Sequence, residues 1–240
     1  GPWTIGLSTG LVARDLPLRG SGTGARRFAK FEALGNDYVV LDPADWPEPP
    51  AAGTVRHLCD RHRGIGADGV LWGPLHSGAM AREPFGVRLY NPDGGEFEKS
   101  GNGLRIFARY LWDRRLPAQA TFVIDTPVGP VTAHVLDPSG SRIAMDMGRV
   151  SFDTGRIGIA GPPREIIEEM VEVAGQTRRI TAVSVGNPHC VVFVDEIPAS
   201  AQVLGHLAHL AQKLGPHLEH LPLYPRRTNV QFAHALDRHT

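Results

Sequence analysis

The sequence predicts an α+β fold, built as two similar halves where a short echo is read as a duplication, and three observations point there. Short apolar runs of strand length recur along the chain, bounded by Gly, Pro, Asn and Asp. One segment carries Leu104, Phe107, Ala108 and Leu111 at the i, i+3, i+4, i+7 spacing of an amphipathic helix. A short pattern also occurs twice: Gly35-Asn36, two residues, Val39-Val40, then Asp42 is matched by Gly186-Asn187, three residues, Val191-Val192, then Asp195. Gly-Asn turns before Val-Val strands are common in unrelated hairpins, so the echo admits that reading as well. Read as a duplication, it puts a turn from each half at a shared cleft.

In chain order, Gly1 to Ala25 is rich in Gly, Arg, Ser and Thr and has no apolar core of the kind a signal peptide needs, so residues 1–26 are expected to be a tail or linker. Phe31 to Asp42 reads as a strand, a Gly-Asn turn and a second strand. Val55, Leu58 and Cys59 fall at helical spacing, ending toward Gly64. Ile65 to Trp72 and Phe85 to Tyr90 read as strands, the second closed by an Asn-Pro-Asp-Gly-Gly turn at 91–95. In the helix around Leu104, Arg105, Arg109 and Asp113 line the polar face, and Arg109 and Asp113 can pair at i, i+4. Phe122 to Asp125, Val128 to Val135, Arg142 to Met147 and Ile180 to Val185 read as strands. Glu165 to Val173 admits a helix between strand-like flanks, and Gln202 to Leu218 has Leu and Ala at helical spacing. The halves are expected at 27–128 and 129–240.

Composition narrows the function. The 25 Lys+Arg balance 25 Asp+Glu, which gives no general attraction to nucleic acid or anionic membrane. The arginines are spread out, and the Arg226-Arg227 pair has only Tyr224 near it, so no nucleic-acid partner is expected. No run of about 18 apolar residues occurs, so no membrane span is expected. Two cysteines in 240 residues are not a disulfide scaffold, and a reducing, cytoplasmic compartment is the default. His206 and His209 have no carboxylate or Cys at helical spacing to complete a ligand set, so no metal is expected there.

The chemistry sits in Asn91 to Leu111. Ser100-Gly101-Asn102-Gly103 immediately precedes the amphipathic helix. Glycines at a helix entry leave first-turn N–H groups unshielded, and with the helix dipole these make a pocket for a carboxylate or phosphate. Residue 100 would stand at its edge. Ser is also a preferred N-cap and Gly-Asn-Gly is ordinary loop chemistry, so a purely structural cap is the alternative.

The same segment, NPDGGEFEKSGNGLRIFARYL, resembles the first active-site motif of the diaminopimelate epimerase family. FEALGNDYVVLD, RHRGIGADGVL (61–71), VSVGNPHCVVFVD (183–195) and TNVQF (228–232) each resemble a further family segment, in the family's order. The resemblance implies two similar α/β halves, each wrapping strands around a central helix, with substrate between them. It implies inversion of an α-carbon of a diaminodicarboxylic acid, LL- to meso-diaminopimelate, in lysine and peptidoglycan-precursor synthesis, with neither pyridoxal phosphate nor metal. Two cysteines, one from each half, move the proton in that family. By resemblance, residue 100 is the first acid/base residue and the amides of Gly101 and Asn102 hold the reacting carboxylate. Asn36 contacts the reacting end, Asn91, Asn187 and Asn229 bind the distal amino-carboxyl group, and His189 polarises the catalytic pair. Each asparagine has a turn or strand-edge role as its alternative, and His189 that of a half-buried strand histidine. Cys59 and Cys190 read as core, and Asp68 as a turn stabiliser. A small-molecule substrate is the partner implied, and a homodimer is compatible with the resemblance.

Two departures from the family stand out. Residue 100 is Ser where the family usually has Cys, and a hydroxyl is far less acidic than a thiol of pKa ~8.5. Ser100 is an engineered change, a natural variant that still moves a proton, or the mark of altered chemistry on one face. The last would make the chain a racemase, epimerase or dehydratase for another amino acid. Second, the chain stops at Thr240, whereas the resemblance places a second motif, with the other Cys, a little beyond Phe232. The second half is therefore expected to be incomplete in this chain, and the chain alone catalytically incompetent. A non-catalytic member that binds an amino acid is the third reading.

Overall fold

In a computed structural model of the chain, residues 7–8, 26–75, 83–198 and 202–237 are described. The expected tail lies outside them apart from residues 7, 8 and 26. The chain forms two units, Gly1–Met147 and Gly148–Thr240.

The first unit contains β1 (Leu7–Ser8), β2 (Ala29–Ala33), β3 (Asn36–Leu41), α1 (Ala52–Cys59), β4 (Gly69–Leu75), β5 (Phe85–Tyr90), β6 (Glu96–Phe97), α2 (Gly101–Asp113), β7 (Thr121–Thr126), β8 (Gly129–Val135) and β9 (Arg142–Asp146). Among the described residues these strands make one nine-stranded sheet in the order β1-β9-β8-β7-β5-β4-β3-β2, with β6 paired to β5. β8 and β9 extend this sheet antiparallel from β7. The boundary expected after residue 128 therefore falls after Met147.

Helix α2 touches β2 and β3 near one end of that order and β8 and β9 toward the other. A sheet can meet one helix from both ends only by curling around it. Leu104, Phe107, Ala108 and Leu111 are fully buried in that core, as the helical spacing predicts, with Phe31, Phe85 and Phe122 from the strands. Strand β3 is buried on both faces: Tyr38 and Val40 face α2, while Val39 and Leu41 face Val55, Leu58 and Cys59 of α1. That double burial explains the unbroken Tyr-Val-Val-Leu run. Helix α1 stops at Cys59, short of the expected Gly64, because Asp60 turns extended and its carboxylate caps the amides of His62 and Arg63.

The second unit contains α3 (Thr154–Ile157), β10 (Glu169–Val173), β11 (Gln176–Ser184), β12 (Pro188–Phe193), α4 (Val203–Glu219) and β13 (Asn229–Ala233). Its sheet runs β10-β11-β12-β13. Leu214 and Leu218 of α4 pack on Ile180, Ala182, Cys190 and Val192. The helix admitted over Glu165–Val173 is not formed. Glu168 has φ 54°, and Ala174-Gly175, with φ 49° and 72°, make a two-residue turn that pairs Val173 with Gln176. Two positive φ values in sequence define the hairpin turn whose twist suits flanking strands.

The echo is structural. In the first unit an antiparallel hairpin, β2–β3, leads through α1 to β4, parallel to β3. In the second, β11–β12 leads through α4 to β13, parallel to β12. β3 and β12 are six residues each, and Val39-Val40 and Val191-Val192 hold the same places in them. The extra residue of the second copy is absorbed in its turn: Ala33 pairs with Asn36 across Leu34-Gly35, whereas Ser184 pairs with Pro188 across three residues. Gly35 and Gly186 sit at φ 85° and 117°, a backbone region only glycine enters freely. The counterpart of α4 is thus α1, and among the described residues the second unit shows no helix in the place of α2. No described helix is long and apolar enough to cross a membrane.

Candidate active site

In the first unit the candidate residues gather at one end of three adjacent strands. β3 and β4 are parallel and begin there at Asn36 and Gly69, and antiparallel β5 ends there at Tyr90. Asn36, Asp68 and Asn91 therefore flank the same sheet end, and α2 begins beside it, with Asn102 bonded to Asn36.

Ser100 is the N-cap of α2, with extended φ −140° and ψ 121°. Its Oγ accepts the Gly103 amide at 3.0 Å, and its carbonyl accepts the Leu104 amide at 2.8 Å. The structural alternative for Ser100 is thus realised. It does not consume the pocket, because no described residue accepts the amides of Gly101 and Asn102. The first turn holds no acidic side chain, so the positive end of the helix is left uncompensated. A carboxylate there would meet two N–H donors beside the Ser100 hydroxyl.

A chain of polar groups supports that turn. Asn102 donates from Nδ2 to Asn36 Oδ1 at 2.6 Å, and Asn36 donates from Nδ2 to Asp68 Oδ2 at 3.3 Å. Arg61 holds Asp68 at 2.8 Å and Asp37 at 2.7 Å, and Lys30 reaches Asp37 at 2.9 Å. Asp68 also accepts the Asp37 amide at 3.1 Å, so its carboxylate ties the entry of β4 to the start of β3 rather than closing the Gly-Ala-Asp-Gly turn expected of it. Asn36 and Asn102 are brought together.

Sequence reasoning missed three side chains here. Arg105, placed on the outer face, is half-buried and donates to Asn102 Oδ1. Burial lowers its pKa, and its Nε has no hydrogen-bond partner. A signal was available: no acid stands three or four residues from it on α2. Lys99 is 8% exposed, donates to the Met147 carbonyl at 2.8 Å, and has its pKa lowered by burial against the pull of Asp146. Tyr38 is buried, its hydroxyl 3.3 Å from Ser100 Oγ. Asn91 is exposed, and its backbone closes the turn with Gly94 and Gly95 at 2.9 and 2.8 Å.

Burial raises the Asp37 pKa, but hydrogen bonds from Arg61 and Lys30 outweigh it and hold the carboxyl well below its usual range. A carboxylate depressed by folding stabilises the fold above its unfolded value of ~3.9, and that stabilisation fades as pH falls toward the folded value. Asp37→Asn is therefore expected to cost about 1.5–3 kcal/mol at pH 7, the range for hydrogen bonds to charged groups. The deficit should shrink between pH 4 and pH 2 when urea unfolding is followed, roughly the span below the unfolded carboxyl pKa. An equal deficit at every pH would show that the ion pairs are not its source.

In the second unit Asn187, His189 and Asn229 cluster where parallel β12 and β13 begin. His189 Nε2 lies 2.9 Å from Asn187 Oδ1, and His189 is the register partner of Asn229, whose Nδ2 donates to the Pro188 carbonyl at 3.1 Å. Burial lowers the His189 pKa and so favours the neutral imidazole, and the hydrogen bond with the Gln231 side chain opposes it. Cys190 points to the opposite face, fully buried. Cys59 is buried too, its thiol pushed up to about 11 chiefly by burial. Both are the core residues expected.

The family model described as diaminopimelate epimerase matches residues 28–152. Diaminopimelate epimerase 2 of Nostoc sp. is 42% identical over 214 residues, covering 89% of this chain and 70% of that protein. The diaminopimelate epimerase of Moorella thermoacetica is 37% identical, covering 88% of this chain and 72% of that one. Among solved structures, a hydroxyproline epimerase from Agrobacterium vitis with bound trans-4-hydroxy-L-proline superposes with a TM-score of 0.50 at 14% identity. It covers 78% of this chain, which spans 60% of the length of that one. At that identity the likeness is one of fold.

Proposed function

The chain belongs to the diaminopimelate epimerase family, and on that premise we propose that it interconverts LL- and meso-diaminopimelate in lysine and peptidoglycan-precursor synthesis. The observation that carries the reading is the pair of unaccepted amides, Gly101 and Asn102, beside the Ser100 hydroxyl. They would hold the α-carboxylate. As the α-proton leaves, negative charge spreads into that carboxylate, and fixed donors aimed at developing charge lower the barrier. Asn36 and Arg105 keep the Asn102 side chain from turning into the pocket. Asn91, Asn187 and Asn229 are assigned to the distal amino-carboxyl group and His189 to the acid/base pair. The enzyme would work in the cytoplasm, as a homodimer in the family reading.

A second reading is favoured by Ser100 itself. A hydroxyl in the place of a thiol suits a one-sided reaction on another amino acid. Incubating the full-length gene product with LL-diaminopimelate in deuterated water separates the two. Meso product carrying α-deuterium is expected. Deuterium without inversion, or loss of water from a hydroxy amino acid, would favour the second reading. Neither meso product nor deuterium would end the first.

A further inference from the structure

Ser100 poses a chemical problem, because an aliphatic hydroxyl is almost never ionised at neutral pH and so needs a neighbouring base before it can take an α-proton. The structure supplies a second hydroxyl. We propose that Tyr38 is the inner link of a two-hydroxyl proton relay, taking up through Ser100 the proton that the substrate's α-carbon loses and returning it by the same path. The proposal rests on the epimerase reading above and goes one residue further into the protein.

The geometry is specific. A serine hydroxyl has one hydrogen and two lone pairs. The Gly103 amide occupies one lone pair of Ser100 at 3.0 Å, and the Tyr38 hydroxyl, 3.3 Å away, is placed to occupy the other. The remaining Ser100 hydrogen is then taken by neither and is left for a substrate held at the amides of Gly101 and Asn102. The 3.3 Å separation is long for paired hydroxyls, as catalytic hydrogen bonds often are before substrate tightens them. Tyr38 is 6% exposed, on β3 and against α2, so water reaches its hydroxyl poorly.

The step balances. In the protonating direction the α-carbanion takes the Ser100 hydrogen, the Ser100 O–H bond breaks, and the Tyr38 hydrogen passes to Ser100 Oγ, leaving Tyr38 a phenolate. In the abstracting direction the phenolate draws the Ser100 hydrogen while Ser100 Oγ takes the α-proton. No alkoxide is left in either direction. Burial raises the Tyr38 phenol above its ordinary value, Asp68 and Cys59 add to the rise, and the Ser100 hydrogen bond opposes it. Asp37, the next residue, lies on the opposite face of β3 with Arg61. The abstracting form is therefore scarce at neutral pH and grows as pH rises.

The test follows α-deuterium wash-in from deuterated water with LL-diaminopimelate, from pH 6 to 10.5, using the full-length gene product, Tyr38→Phe, Ser100→Cys and the double variant. Wild-type exchange is expected to keep rising past pH 9. Tyr38→Phe is expected to lower kcat at least about 100-fold, the scale of one acid/base group, with KM within about threefold. In the Ser100→Cys background the thiol needs no relay, so adding Tyr38→Phe is expected to cost less than about fivefold, with a profile turning near ~8.5. Equal losses in both backgrounds would make Tyr38 a packing residue and overturn the relay, as would a Tyr38→Phe enzyme within about threefold of wild type. Exchange seen only in Ser100→Cys would overturn it too. A second measurement stands apart from substrate: the phenolate absorbance titration, assigned by difference with Tyr38→Phe, is expected to move to higher pH in Ser100→Ala. If it does not move, the hydroxyls are not coupled and the relay fails. If it moves while every variant is silent on diaminopimelate, the relay pair stands and the substrate assignment fails.

Discussion

Gly101→Pro is expected to leave the fold intact and cost about 10²–10³-fold in kcat/KM, the loss typical of one deleted oxyanion donor. Position 101 is the first residue of α2, where proline is tolerated because its missing N–H has no partner within the helix. The residue before a proline must be extended, and Ser100 already is, at φ −140° and ψ 121°. A side chain built on Gly101 meets nothing nearer than 3.9 Å, from Arg105 and Met147. The substitution thus replaces the donor in the pocket by the ring's Cδ methylene and leaves the helix start in place. Gly101→Ala, which keeps the N–H, is expected to lose far less. Thermal melts followed by circular dichroism would confirm that Gly101→Pro folds. A folded Gly101→Pro enzyme with wild-type turnover would show that this amide does not hold the reacting carboxylate.

Phe107→Ala is expected to lower the unfolding free energy of the first unit by about 3–5 kcal/mol, as other buried Phe→Ala changes do. Phe107 is fully buried and stacks on Tyr110 with ring centroids 6.4 Å apart. The sheet is shaped to its ring: a side chain added at Gly73 would come within 2.9 Å of it. Tyr110 in turn donates to Asp42 at 2.6 Å, tying α2 to the end of β3. Against a typical domain stability of about 5–15 kcal/mol, such a loss is a third or more of the whole. Urea unfolding followed by far-UV circular dichroism measures it. A loss under about 1 kcal/mol would mean that the curl of the sheet does not depend on the α2 core.

The sequence carried a great deal of this. The spacing of Leu104, Phe107, Ala108 and Leu111 located α2, and Ser100-Gly101-Asn102-Gly103 located its start, because periodicity and caps are local consequences of helix geometry. Arg109 and Asp113 pair at 2.8 Å for the same reason. Five motifs in order mark the family. Local patterns failed where strand and helix compete. Glu169–Val173 is short and only half-apolar, and a turn at Ala174-Gly175 together with a partner in β11 settled it as a strand.

What the chain determined alone is therefore its family, its main helix and the position of the glycine-rich turn that opens it, all encoded within a few consecutive residues. The tertiary structure alone decided that β8 and β9 join the first sheet, that Arg105 braces Asn102, and that Tyr38 meets Ser100. The reason is distance along the chain. Asn36 and Asn102 are 66 residues apart and Tyr38 and Ser100 are 62 apart, and only a curled sheet wrapped around one helix brings such residues within a hydrogen bond.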